Sequence, residues 1–68
     1  MSSSLTKRER EIVRLLAEGR SSRQVADVLG LKVPTVDTHR ANIFRKLNVH
    51  SLTELVLFAV RNGVVASP

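Results

Sequence analysis

The sequence from Ser22 to Leu47 is SRQVADVLGLKVPTVDTHRANIFRKL, in which two short amphipathic segments flank a glycine. Ala26 lies four residues before Gly30, and Val36 lies six residues after it. A helix-turn-helix needs a small residue where the helices cross, a glycine able to adopt a positive φ at the turn, and an apolar anchor on the second helix. Because all of these features agree, the stretch predicts a helix-turn-helix, which offers its second helix to a DNA groove.

Helix boundaries are marked along the rest of the chain. A Ser or Thr followed three residues later by Glu or Gln predicts a capping box, and the pairs are Thr6 with Glu9, Ser21 with Gln24, and Ser51 with Glu54. Proline suits the first turn of a helix, so a further helix is expected to begin at Val33 or Pro34. Glycines follow the first, second and last helices, at Gly19, Gly30 and Gly63. The last helix is expected to end near Asn62.

These boundaries predict an all-α fold, a four-helix bundle that contains the helix-turn-helix. The domain is expected to span residues 5–65, with a linker remnant at residues 1–4 and a tail at residues 66–68. The third helix has two faces. The residues expected in the core lie on one face and are Val36, Ile43 and Leu47. His39 is expected at the edge of this face as a structural histidine. The opposite face is expected to be free for DNA and carries Thr38, Ala41 and Arg45.

Composition narrows the classes of function. Eleven Lys and Arg against six Asp and Glu give a net charge of +5, which favours a polyanionic partner. The chain has no cysteine, which excludes disulfides and thiolate metal sites and fits a cytoplasmic location. No apolar run approaches the roughly 20 residues of a membrane span. With no phosphate-binding loop or nucleophile motif, we expect no enzyme activity, no cofactor and no metal.

The motifs together resemble a known family. The stretches LTKREREIVRLLAEGRSSRQVADVLG, TVDTHRANIFRKLNVHS and TELVLFAVRNG are similar to the LuxR-type helix-turn-helix, the DNA-binding domain of NarL/FixJ response regulators and quorum-sensing regulators. The resemblance covers residues 5–64. It implies a four-helix bundle that binds DNA as a dimer and acts in a bacterial transcription regulator, most simply a two-component response regulator with a receiver or sensor domain upstream. The alternative within the family is a ligand-controlled regulator of the quorum-sensing type.

The resemblance and the third helix together suggest the DNA contacts. Base contacts are expected from Asp37, Thr38 and Ala41. Phosphate contacts are expected from Ser22, Arg23, Lys32, Thr35, Arg45, Lys46 and His50. Several of these residues have an alternative role. Asp37 could serve the helix dipole and pair with Arg40, and Thr35 could cap the helix. Arg45, Lys46 and His50 could form only a solvated face. Lys32 replaces the Ser or Thr that caps this helix in the family, so a side-chain cap is expected to be missing.

The fourth helix carries more apolar residues than one core face needs. Leu52, Leu55, Val56 and Ala59 have the spacing of a buried stripe. A second stripe, formed by Thr53, Leu57 and Val60, is expected to pair two copies of the chain, as the family does through this helix.

Two competing interpretations remain at this stage. The promoter-recognising region of a sigma factor is similar in having LTxRER and a helix-turn-helix, and it contacts RNA polymerase as well as DNA, but it would end near the recognition helix. A bundle that binds only proteins would leave the exposed face from Thr38 to Arg45 without a role.

Overall fold

A computed structural model describes residues 5–64 of the chain. It contains α1 (Lys7–Ala17), α2 (Ser22–Leu29), α3 (Val33–Leu47) and α4 (Leu52–Arg61), which confirms the all-α prediction and the start of α3 at Val33. The predicted linker remnant and tail lie outside the described residues, as does residue 65. Within the described part of the chain, no helix has the length and apolar character needed to cross a membrane.

Two of the predicted capping boxes form completely. The Thr6 hydroxyl accepts from the Glu9 amide at 3.1 Å while the Thr6 amide donates to Glu9 Oε1 at 2.9 Å. Ser21 and Gln24 repeat the arrangement at α2, with distances of 3.2 and 2.9 Å. Each box therefore satisfies backbone amides that have no partner within the helix.

The third predicted box, at α4, is only half right. Ser51 Oγ accepts from the Glu54 amide at 3.1 Å, but Glu54 Oε1 accepts from the amide of His50 at 2.9 Å rather than from Ser51. The backbone at Ser51 is more extended, with φ of −154°, than at Thr6, where φ is −72°. This difference brings the preceding amide within reach of the carboxylate.

The turn between α2 and α3 depends on Gly30, which adopts the left-handed conformation with φ of 69° and ψ of 34°. The Leu31 amide then donates to the Ala26 carbonyl at 2.9 Å, closing the end of α2. Lys32 precedes α3 and makes no side-chain capping bond, as its residue type predicts. Asn48 ends α3 in the same left-handed conformation as Gly30, with φ of 55°.

A single apolar core joins the helices. α1 packs against each of the others, α2 packs against α3, and α4 packs mainly against α1. The buried apolar residues are Ile12, Val13, Leu15, Leu16, Val25, Ala26, Val36, Ile43, Leu55 and Ala59. Leu52 is a correction to the predicted stripe of α4, since it is 40% exposed. It is the first residue of α4, so no preceding turn of helix covers it.

Candidate nucleic-acid interface

The outer face of α3 is anchored by its inner face. Val36 and Ile43 are fully buried against the other helices, which fixes the rotation of α3 about its axis. The exposed residues on the opposite side follow the spacing i, i+4, i+7 and i+11 and are Pro34, Thr38, Ala41 and Arg45. His39 lies half-buried at the edge of the core. The two-faced helix inferred from periodicity is confirmed.

The Thr38 hydroxyl is already engaged. Its Oγ1 donates to the carbonyl oxygen of Pro34, 3.1 Å away on the preceding turn. The hydrogen atom of the hydroxyl is therefore directed along the helix, while the oxygen lone pairs and the methyl group remain exposed to a partner.

Asp37 is exposed beside this face and makes no ion pair with any residue in 5–64. The alternative in which Asp37 pairs with Arg40 is therefore wrong for this structure. The Arg40 guanidinium instead lies over the Phe44 ring, 5.4 Å from its centroid, and donates to Ser22 Oγ at 3.4 Å. A cation over an aromatic face and a hydrogen bond both hold the guanidinium away from Asp37.

Most of the residues expected to contact phosphates are exposed near an end of α3 or the start of α2. Arg23, Lys32, Thr35, Arg45 and His50 are exposed, and Ser22 is half-buried where it accepts from Arg40. Arg45 donates to Asn42 Oδ1 at 3.1 Å, which steadies the guanidinium on the outer face of α3. Their contacts with phosphate remain predictions.

Lys46 forms an ion pair with a distant residue that its sequence neighbours do not suggest. Its Nζ donates to Glu9 Oε1 at 2.8 Å, and the Glu9 side chain is buried. The ammonium group thus compensates a buried carboxylate of α1. The residue was predicted as a phosphate contact, and the structure gives it a partner within the protein.

Glu9, which the sequence interpretation treated only as a cap, also makes this tertiary contact. Burial alone would raise the pKa of Glu9, but hydrogen bonds from Lys46 and from the Thr6 backbone, together with the charge of Lys46, hold this pKa below its ordinary value. No local pattern reveals a pair separated by 37 positions. The Arg40 and Phe44 contact has a local signal, their i, i+4 spacing, that would have found it.

The second stripe of α4 is at the surface in part. Leu57 is 47% exposed and Thr53 is exposed, while Val60 is half-buried. Leu57 also lines an open groove together with Val49 and Phe58. The structure thus leaves Leu57 exposed where pairing was predicted, and the pairing itself remains a prediction.

A comparison with protein families agrees with this geometry, in which a glycine turn precedes α3 and the outer face of α3 is exposed. The model of the LuxR family of bacterial regulatory proteins matches residues 3–59. The chain belongs to the LuxR family. The family is one of DNA-binding transcription regulators, and the all-α helix-turn-helix fold expected from the resemblance is confirmed.

Curated relatives of this family member are response regulators. The uncharacterized response regulatory protein YgeK of Escherichia coli (strain K12) is 50% identical over 60 residues, 88% of this chain and 41% of that protein. The transcriptional regulatory protein LiaR of Bacillus subtilis (strain 168) is 44% identical over 62 residues, 91% of this chain and 29% of that protein. The oxygen regulatory protein NreC of Staphylococcus carnosus is 42% identical over 61 residues, 90% of this chain and 28% of that protein. The chain thus spans less than half the length of these relatives.

Proposed function

We propose that this chain is the effector domain of a NarL/FixJ-type response regulator and binds specific DNA sequences with α3 in the major groove. The observation that carries the proposal is the exposed outer face of α3, held outward by the buried Val36 and Ile43. In a helix-turn-helix the N-terminal residues of the second helix contact base edges. Asp37 and Thr38 lie in the first two turns of α3 and Ala41 lies one turn farther on, and all are exposed.

Phosphate contacts would come from both ends of α3 and from the start of α2. Arg23, Lys32 and Arg45 supply exposed positive charge there, while Thr35 and Ser22 supply hydroxyl groups. Contacts of this kind set the register of the protein on the duplex without reading its sequence.

Two copies of the chain would bind paired half-sites through contact between their α4 helices. The exposed Leu57 and the adjacent Thr53 and Val60 form the proposed pairing surface. A two-fold pair of this kind would place two recognition helices about one turn of DNA apart. The greater length of the response regulators that resemble this chain supports a further domain, a receiver or other sensor, as the source of the signal.

Titration of a fluorescent duplex at several salt concentrations tests DNA binding. Each phosphate contact contributes about −0.9 to the slope of log K against log salt, so the affinity should fall steeply as salt is raised. Arg45→Ala should reduce that slope, whereas Arg14→Ala, on the exposed side of α1, should not. Salt-independent binding, or no binding at low ionic strength, would contradict the proposal.

A further inference from the structure

The residues placed at the base-reading end of α3 share a chemical property that membership of the family does not specify. Asp37 carries a carboxylate, which only accepts hydrogen bonds, and Ala41 carries a methyl group. Thr38 would ordinarily donate as well as accept, but its hydroxyl hydrogen is engaged with the Pro34 carbonyl at 3.1 Å. All three residues are exposed, so together they offer acceptors and methyl groups but no free side-chain donor.

Base edges in the major groove respond differently to such a surface. Guanine presents two acceptors there, O6 and N7, and these would face acceptor atoms of the protein. Cytosine presents an amino donor at N4, adenine presents one at N6, and thymine presents a methyl group at C5. A carboxylate at Asp37 therefore matches an amino group, and the methyl groups of Thr38 and Ala41 match thymine.

The exposed arginine on the outer face of α3 lies farther along the helix. Arg45 lies seven residues after Thr38, about 10 Å along the helix axis, and is held by Asn42. Arg40 is closer, but its guanidinium is directed to Phe44 and to Ser22. Both arginines of α3 thus have partners within the protein, which direct their guanidinium groups away from Asp37.

The negative charge of Asp37 has a second effect, on the affinity for DNA. Asp37 forms no ion pair with a residue in 5–64, so its charge would face the phosphates of any duplex that enters the site. Repulsion between like charges weakens binding to every sequence, and an amino group at the right base offsets that cost. Asp37 would thus discriminate against sequences that lack the amino group.

We propose that the half-site recognised by this chain presents a cytosine amino group to Asp37 and a thymine methyl group to Thr38 and Ala41, with guanine contacted by none of the three. This inference rests on the proposed function of DNA binding through α3. It assigns a base preference to this chain's own residues.

Selection of bound duplexes from a random library tests the preference. The unaltered chain should enrich a C·G pair at one position of each half-site. Asp37→Asn should convert that position to A·T, because an amide can bond N6 and N7 of adenine together. Asp37→Ala should lose about tenfold in preference at that position and should bind random DNA more tightly than the unaltered chain does.

Two substitutions of Thr38 separate its methyl group from its hydroxyl. Thr38→Val keeps the methyl group and should retain the thymine preference, whereas Thr38→Ser keeps the hydroxyl and should lose it. Thermal melts of all variants report whether the fold persists, as expected for exposed positions.

The outcomes distinguish the inference from the function on which it rests. If the selected sequences are the same for the unaltered chain, Asp37→Ala and Asp37→Asn, the inference is overturned and DNA binding stands. Enrichment of thymine that survives Thr38→Ser but not Thr38→Val also overturns it. If the unaltered chain selects no DNA at low salt, the proposed function itself is overturned.

Discussion

Lys46 and Glu9 connect the last turn of α3 to the first turn of α1, with Nζ 2.8 Å from Oε1. The same Oε1 accepts the amide of Thr6 at 2.9 Å. One carboxylate oxygen therefore completes the cap of α1 and holds the end of the recognition helix. The stability of the fold and the orientation of α3 depend on the same buried atom.

Lys46→Met should destabilise the domain more than Arg45→Met. Loss of the ammonium leaves the buried Glu9 carboxylate without its ionic partner, which we expect to cost about 1 to 3 kcal/mol. Arg45 is exposed and, among residues 5–64, its side chain is hydrogen-bonded only to Asn42, so its replacement should change stability by less than about 0.5 kcal/mol. Urea denaturation of the two variants measures the difference, and equal losses would contradict the role given to the ion pair.

The pH dependence of stability should reflect Glu9. Because its pKa in the folded protein lies below the ordinary value, the unfolded chain binds the proton more readily. The stabilisation is therefore complete above the unfolded pKa, about 4.3, and is lost as the pH falls through the lower folded value. Melting temperatures measured from pH 7 to pH 3 should fall less steeply for Glu9→Gln than for the unaltered chain. Parallel curves would show that Glu9 does not titrate in this way.

Arg45 and Lys46 are adjacent in sequence but should differ in DNA binding. Arg45→Ala should lower the magnitude of the salt slope by about 0.9, the effect of one phosphate contact. Lys46→Met, studied where it remains folded, should change the slope less because Glu9 holds the ammonium. Fluorescence anisotropy over a range of salt provides the slopes. A larger change of the salt slope for Lys46→Met than for Arg45→Ala would instead support the phosphate contact that the sequence predicted for Lys46.

Leu57→Asp should abolish cooperative binding to a paired site while leaving affinity for one half-site nearly unchanged. The charge would be introduced into the proposed pairing surface at a position that is 47% exposed, so the fold should persist. Val28→Asp, at a residue of α2 that is 53% exposed, is the matched control and should keep the cooperativity. Binding curves on single and paired sites give the ratio of the two affinities, which measures the cooperativity. Unfolding of the Leu57 variant would instead place this side chain in the core.

Gly30→Ala should lower stability through its backbone alone. The added Cβ would meet no atom within 4 Å, but φ of 69° is strained for a residue with a side chain. We expect a loss of about 1 to 2 kcal/mol, and a smaller loss for Gly30→Asn because asparagine tolerates this conformation better. Thermal melts of the two variants test the order. An unchanged melting temperature for Gly30→Ala would show that the turn can relax.

Local features of the sequence predicted most of the fold. Thr6, Ser21 and Pro34 mark helix starts because caps and proline act within a few residues, and Val36 and Ile43 mark a buried face because helical spacing is local. The errors lie elsewhere. Leu52 has the spacing of a core residue but is exposed, because burial depends on which neighbouring helix covers it.

The candidate site was predicted less completely than the fold. Sequence alone identified the outer face of α3, but not the pairing of Lys46 with Glu9, since these residues meet only through tertiary packing. It also did not predict that Thr38 uses its hydroxyl hydrogen on Pro34, because a rotatable hydroxyl has several possible partners. Both contacts change what the side chains can offer to DNA.

The central place of α1 in the bundle has an evolutionary consequence. α4 packs mainly against α1, while α2 and α3 pack against one another and against α1. Mutations at Thr38 or Ala41 therefore alter one exposed surface of α3 and leave the packing of α4, the helix that carries Leu57, unchanged. Descendants of this chain could acquire new target genes by a few substitutions in α3 while inheriting the same mode of assembly.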